Sequence, residues 1–153
     1  MILSVHMLLG ALIGQKILNP FLAITLAILS HYFLDFFPHI EYSIKNIVEK
    51  NWKNANKDIL KVLFDFFSGI LLIFIFTGPQ TGNQNLIFTC ALFAILPDAL
   101  SLINLSSKNT FLKIHSNFHQ KKVHFLKDKK ISNFWRIFSQ AVAVLICLIL
   151  FKI

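Results

Sequence analysis

Six histidines and three aspartates carry most of the chemistry open to this sequence. His31 and Asp35 stand four residues apart, with His39 just past Pro38; His115 and His119 repeat the spacing, with His124 beyond. Residues four apart share a helix face, so each pair presents two donor groups in one direction. Imidazole and carboxylate together ligate zinc and other first-row dications. His6, Asp65 and Asp98 stand singly inside apolar stretches. A carboxylate there costs roughly 2.5–3.5 kcal/mol on insertion scales and persists mainly where it pairs or lines a polar cavity. A bound dication supplies such a pairing. These residues exceed the four donors that one zinc takes, so two or more ions, or an outer ring of orienting groups, are expected. No serine or cysteine stands in a nucleophile motif, which leaves covalent catalysis unsupported.

Each residue also has a plainer reading. The two spaced pairs read as solvated or capping side chains, Asp98 as a kink hydrogen bond beside Pro97, and Asp65 as a bond across helices. His6 reads as an interfacial histidine, His39 as a turn residue, and His124 as a water-facing neighbour of Lys121 and Lys122. The metal reading gains its weight from where the elements carry these residues.

Of the 153 residues, 56% are hydrophobic and 14% charged, against about 25% charged in soluble domains. Mean hydropathy is +0.66. Seventeen phenylalanines among Ile and Leu fit a bundle apolar outside as well as inside. The expectation is an all-α integral membrane bundle of about five helices, residues 1–153 forming one domain. The first helix, about Leu3 to Ile17, is short for a crossing and calls for tilt or shielding by neighbours. A second starts at Pro20 and stops at Phe37 before Pro38. The segment from Glu41 to Lys57, with Ile44, Val48 and Trp52 at helical spacing, reads as an interfacial amphipathic helix. A third helix is capped by Asp58 and ends at Gly78. A fourth runs from about Leu86 to Asn104 with a kink at Pro97 and a freed carbonyl near Phe93. A basic stretch, helical around His115 to Leu126, precedes the closing helix from Ser132 to Phe151. Cys90 and Cys147 read as buried small hydrophobes. The apolar start lacks a preceding basic region and contains His6, so it is expected to be retained and not cleaved as a signal.

Charge sets the expected orientation. Lys45, Lys50, Lys53, Lys57 and Lys61 fall on one side. Lys108, Lys113, Lys121, Lys122, Lys127, Lys129, Lys130 and Arg136 return to that side two crossings later, and only Lys16 and Lys152 lie opposite. The positive-inside rule makes the lysine-rich side cytoplasmic and the uncharged loop from Gly78 to Asn85 external. All six histidines and the three aspartates then map to the cytoplasmic face of the inner membrane, which is where a metal site is expected. The net charge of +8 does not call for nucleic acid, because the lysines flank apolar segments and form no stripe with stacking aromatics.

The order SVHMLLGALIG, SHYFLDFFPH, LFDFFSG, AILPDAL and HSNFHQKKVH resembles the bacterial membrane-bound metal-dependent hydrolase family, with its early His, PD motif and terminal His pair. More distantly, the helical His and Asp spacing is similar to the zinc-dependent phospholipase C and nuclease group. The resemblance implies His6, His31, Asp35, Asp98, His115 and His119 as metal ligands, with Asp65 and His39 as further ligands or orienting partners. The sequence departs from the fuller pattern at Ala99 and Leu100, where some relatives carry a second acidic residue, and in offering HSNFH for an HRGxTH-like run.

The expected function is a metal-dependent hydrolase that cleaves a phosphate ester or phospholipid headgroup at the membrane surface. In it Asp35 or Asp65 takes a proton, while Lys113, Lys121 and Lys122 attract the phosphate. Three alternatives differ in class. An ion transporter fits intramembrane ionisable groups but lacks a titratable relay in the outer half. A membrane cytochrome would use His6 and His31. A non-catalytic metal-binding or scaffold protein would simply grip anionic lipid with its basic face.

Overall fold

The structure, a computed structural model, describes residues 1–78, 83–126 and 129–153. Lys127 and residues 79–82 of the uncharged Gly78 to Asn85 loop therefore lie outside the described residues. All regular structure among the described residues is helical: α1 (Leu3–Lys16), α2 (Pro20–Asp35), α3 (Lys45–Val48), α4 (Asn56–Thr77), α5 (Gln84–Ala94), α6 (Leu96–Asn104), α7 (Thr110–Phe118) and α8 (Asn133–Lys152).

The central helix, α1, is too short to cross a bilayer upright. At 14 residues α1 is about 21 Å long, less than the hydrocarbon of a bilayer. It is enclosed by α5, α4, α2 and α8. Met7, Leu8, Ala11 and Leu12 pack with Ile73 of α4, Ile87 and Ala91 of α5, and Cys147 and Phe151 of α8. Two glycines one turn apart set the α1–α5 distance. A Cβ on Gly10 would stand 2.6 Å from the Ala94 Cβ and from the Cys90 carbonyl, and one on Gly14 would stand 2.8 Å from the Leu86 carbonyl. This is the small-residue crossing by which apolar helices approach backbone to backbone. Alanine in place of glycine adds about 0.5–1 kcal/mol of helix preference. At Gly14 the obstructing atoms are backbone and cannot swing aside, so an overpacking cost of about 1–3 kcal/mol wins. Gly14→Val is expected to lower the thermal midpoint in detergent, and an unchanged or raised midpoint would contradict the close crossing.

Among the described residues two helices, α4 and α8, are long and apolar enough to cross a membrane, and the pair α5 and α6, bent by 41°, makes a third if it is one span. α2 is apolar but only 16 residues long. Two or three candidate spans therefore stand among the described residues, in a chain for which a bundle of about five helices was expected. α4 and α8 leave large apolar side chains exposed, including Phe64, Leu71 and Ile75 on α4 and Phe134, Ile137 and Ile149 on α8.

Local chemistry explains most boundaries. The Asn19 side chain accepts from the Leu22 amide, with Pro20 in the first turn of α2. Gly78 ends α4 at φ 61°, a value that favours glycine. The break between α5 and α6 falls one residue before Leu96-Pro97, since Pro97 has no amide to continue the ladder.

Other expectations shift. The Glu41 to Lys57 segment forms only the single turn α3, then Lys50 takes φ 55° and the chain turns through residues 52–55. Asp58 does not cap α4. Its carboxylate accepts from the amide and side-chain nitrogen of Asn46 at 2.8 and 3.1 Å and from Lys61 at 3.2 Å, which pins the α3 turn to the first turn of α4. Cys90 and Cys147 are buried free thiols, as read from the sequence.

Candidate metal centre

The end of α2 supplies the middle of the site. Asp35 is buried, and both carboxylate oxygens face imidazoles. Oδ2 lies 3.1 Å from His31 Nε2, 3.2 Å from His119 Nε2 and 3.1 Å from His124 Nε2; Oδ1 lies 3.3 Å from His6 Nε2 and 3.7 Å from His39 Nε2. The Met1 amine is 2.6 Å from Oδ1. Asp98 at the start of α6 brings Oδ1 to 3.7 Å from His31 Nε2 and 3.9 Å from His119 Nε2. Among the described residues two sets of donor atoms are compact enough to enclose an ion: His31, Asp35, Asp98 and His119, and Asp35, His39 and His124.

Backbone carbonyls fix which ring nitrogen faces the centre. His31 Nδ1 donates to the Ala94 carbonyl at 2.8 Å, and His39 Nδ1 to the Phe37 carbonyl at 2.7 Å. A carbonyl only accepts, so both Nδ1 atoms carry a proton, and it is Nε2 of each ring that is turned inward. Metal-bound imidazoles are held this way by the bond their other nitrogen makes. The Ala94 acceptor sits at the α5–α6 break, so the bend at Pro97 places Asp98 and orients His31 together. His6 lies one turn before Gly10, which sits against Ala94, and its ring stacks on His31 at 4.1 Å.

A widened turn brings in His119 and His124. Residues His119–Val123 form a π-helical turn after α7, closed by the bond from the His124 amide to the His119 carbonyl at 3.1 Å. In an α-helix residues five apart diverge; the wider turn realigns them, and such turns recur at functional sites. The two rings meet at 4.6 Å. Burial alone would keep His124 neutral, but the Asp35 and Glu41 carboxylates outweigh it and push its pKa up to about 9. Glu41 Oε1 lies 2.9 Å from His39 Nε2 and 3.1 Å from His124 Nδ1.

The first turns of α8 hold the strand of chain that carries His39 and Glu41. Ser139 Oγ donates to the Pro38 carbonyl, Arg136 to the His39 carbonyl at 3.2 Å, and Gln140 to the Ile40 carbonyl at 2.7 Å. Read in sequence as an inside-positive charge, Arg136 is a structural clamp. Two cavities open beside this strand. One of about 660 Å³ reaches Asp35, His39, Glu41 and His124 and carries Lys45 and Arg136 on its wall. Another of about 470 Å³ reaches Asp98, Glu41 and His124 between apolar residues such as Leu3, Val62 and Leu102. Tyr42 lines both. Burial, then the Asp65 and Asp98 carboxylates, raise its pKa and hold the phenol protonated.

His6, His31, Asp35, His39, Asp98 and His119 thus converge as the sequence suggested, while four other kinds of assignment change. Asp65 belongs to neither donor set: its oxygens accept from the Leu3 and Ser4 amides at 2.6 and 3.2 Å, capping α1. His115 is turned to the Tyr32 hydroxyl at 3.0 Å and stacks near His119 at 5.8 Å, outside both sets. Lys113, Lys121 and Lys122 are exposed and line neither cavity. Asp35 is enclosed by imidazoles, which suits a ligand better than a proton acceptor. His124 and Glu41, read as a surface residue and as part of an amphipathic helix, stand in the cluster instead. The only sequence signal for His124 was its five-residue distance from His119, meaningful only with a π turn.

The donor set fits a cation on two counts. Ligands at 2.0–2.1 Å around tetrahedral zinc stand about 3.3 Å apart. The separations here run from 3.0 Å between His31 and His119 Nε2 to 3.9 Å between His119 and Asp98. Secondly, His6 is fully buried with neither ring nitrogen hydrogen-bonded, an arrangement that costs about 1–3 kcal/mol unless something else satisfies it. No family model, curated protein or solved structure matches the chain.

Proposed function

We propose that this chain is a metal-dependent hydrolase of the cytoplasmic membrane that cleaves a phosphate ester, with a lipid phosphate as its substrate class. The observation that carries the reading is the convergence of His31, Asp35, Asp98 and His119 on one point beside two open cavities. Two imidazoles and two carboxylates in such a mixture suit zinc or another first-row dication. When bound, such an ion acidifies water towards neutral pH and offsets the charge that develops on a phosphoryl group.

The chain's own groups fit the remaining tasks. The larger cavity joins cationic Lys45 and Arg136 to apolar Phe37, Ile40, Ile44 and Leu126, a lining suited to a molecule with an anionic head and an apolar body. Tyr42 lines both cavities, its protonated phenol bonded to the Asp65 carboxylate. Exposed apolar faces on α4 and α8 support residence in a bilayer, and the lysine distribution supports a site on the cytoplasmic side. The resemblance to membrane-bound metal-dependent hydrolases points the same way.

Detergent-purified protein is expected to hydrolyse a chromogenic phosphodiester, to lose at least about tenfold in rate after chelation, and to recover it with zinc or manganese. Metal content without turnover on phosphodiester or lipid-phosphate substrates would favour the non-catalytic metal-binding reading. Turnover indifferent to chelation would remove metal from the mechanism.

A further inference from the structure

We propose that the centre holds two cations bridged by the Asp35 carboxylate, and that Glu41 and His124 join His39 in holding the second ion. The inference rests on the metal reading above and adds a site that the first donor set does not include. A tetrahedral ion held by His31, His119, Asp98 and one Asp35 oxygen uses four donors. Three buried imidazoles and a carboxylate remain around the same point: His6, His39, His124 and Glu41. One ion cannot take them all.

The geometry divides them. Asp35, His39 and His124 form their own compact donor set, sharing only Asp35 with the first. Glu41 Oε1 stands 2.9 Å from His39 Nε2, the nitrogen turned towards Asp35, and 3.1 Å from His124 Nδ1, the nitrogen opposite the one that faces Asp35, so Glu41 is placed to share an ion with His39 and to steady the His124 ring. His39 is prepared as a ligand in the way His31 is, its Nδ1 tied to a backbone carbonyl and its Nε2 turned inward. The independent observation is His6: both ring nitrogens are fully buried without a hydrogen bond, and Nε2 lies 3.3 Å from Asp35 Oδ1, the oxygen that also faces His39 and the Met1 amine. A carboxylate that gives one oxygen to each of two ions sets them about 3.5–4 Å apart, the spacing of paired-metal hydrolytic sites. α8 keeps the second set in place by holding the carbonyls of Pro38, His39 and Ile40.

The test is manganese loading of the intact, purified protein, read by elemental analysis and electron paramagnetic resonance. The expected result is about two ions per chain with an exchange-coupled spectrum, falling to about one ion with an uncoupled six-line spectrum in His39→Ala and in Glu41→Gln. The wild-type spectrum needs no variant, so the test survives a variant that fails to fold. One ion per chain with an uncoupled spectrum overturns the second site and leaves the metal reading standing. Two uncoupled ions overturn the Asp35 bridge. No bound manganese or zinc at all overturns both readings together. Retention of two coupled ions in both variants overturns the assignment of Glu41 and His39.

Discussion

If the chain is the metal-dependent hydrolase proposed above, Asp35→Ala is expected to lose the metal and abolish hydrolysis, a larger effect than replacing any one of the histidines. The reason is position: the Asp35 carboxylate is fully buried and faces all of His6, His31, His39, His119 and His124, so each donor set loses its shared member at once. Losing an orienting partner beyond the ligands typically costs about 10–100-fold in metal affinity, and the loss of a shared ligand is expected to exceed that. Alanine also leaves five imidazoles without the anion they surround. Removing one member of a buried charged pair costs about 3–5 kcal/mol, so the thermal midpoint should fall as well. Asp35→Asn separates the two effects, because it preserves volume and one acceptor while withdrawing the charge. Elemental analysis of the Asn variant is the decisive measurement: a folded protein with wild-type metal content would mean that Asp35 serves only to organise the histidines.

The sequence makes some of this centre legible and conceals the rest for identifiable reasons. His31 and Asp35 were readable because four residues is close to one helical turn, and local geometry alone aligns them. Asp98 was readable because Pro97 announces a break, and the acceptor that break supplies to His31 is the Ala94 carbonyl, next to Phe93. His124 was hidden because the α-helical period places it off the face of His119; only the π turn restores the alignment, and no residue type signals such a turn. Glu41 was hidden because Ile44, Val48 and Trp52 suggested an amphipathic helix. In the fold, the bonds from Asn46 to Asp58 and from α8 to residues 38–40 override that local pattern. The glycine crossing shows the same limit from the side of the fold. Gly10 and Gly14 become informative only beside the α5 backbone they touch, which fixes how deeply α1 is enclosed.

Asp65→Asn is expected to destabilise the protein without emptying the metal centre. A carboxylate inside an apolar helix has two explanations, a cation or a set of donors, and the two predict opposite outcomes here. The Asp65 oxygens are taken by the Leu3 and Ser4 amides, 62 and 61 residues away in sequence, which are free because the first turn of a helix has no carbonyls to bond them. The charge also opposes the positive end of the α1 dipole. Asparagine can accept one of the two amides but turns its own donor towards the other. With hydrogen bonds to a charged group contributing about 1.5–3 kcal/mol, the substitution should cost about 1–3 kcal/mol and lower the thermal midpoint measurably. Metal content per folded chain should stay at the wild-type value, since the donor atoms of both sets are untouched. A variant that melts like wild type but has lost metal would return Asp65 to the ligand role first suggested by its place in the sequence. Because Leu3 and Ser4 open the helix that carries His6, a partial loss confined to conditions near the midpoint would instead report the fraying of α1.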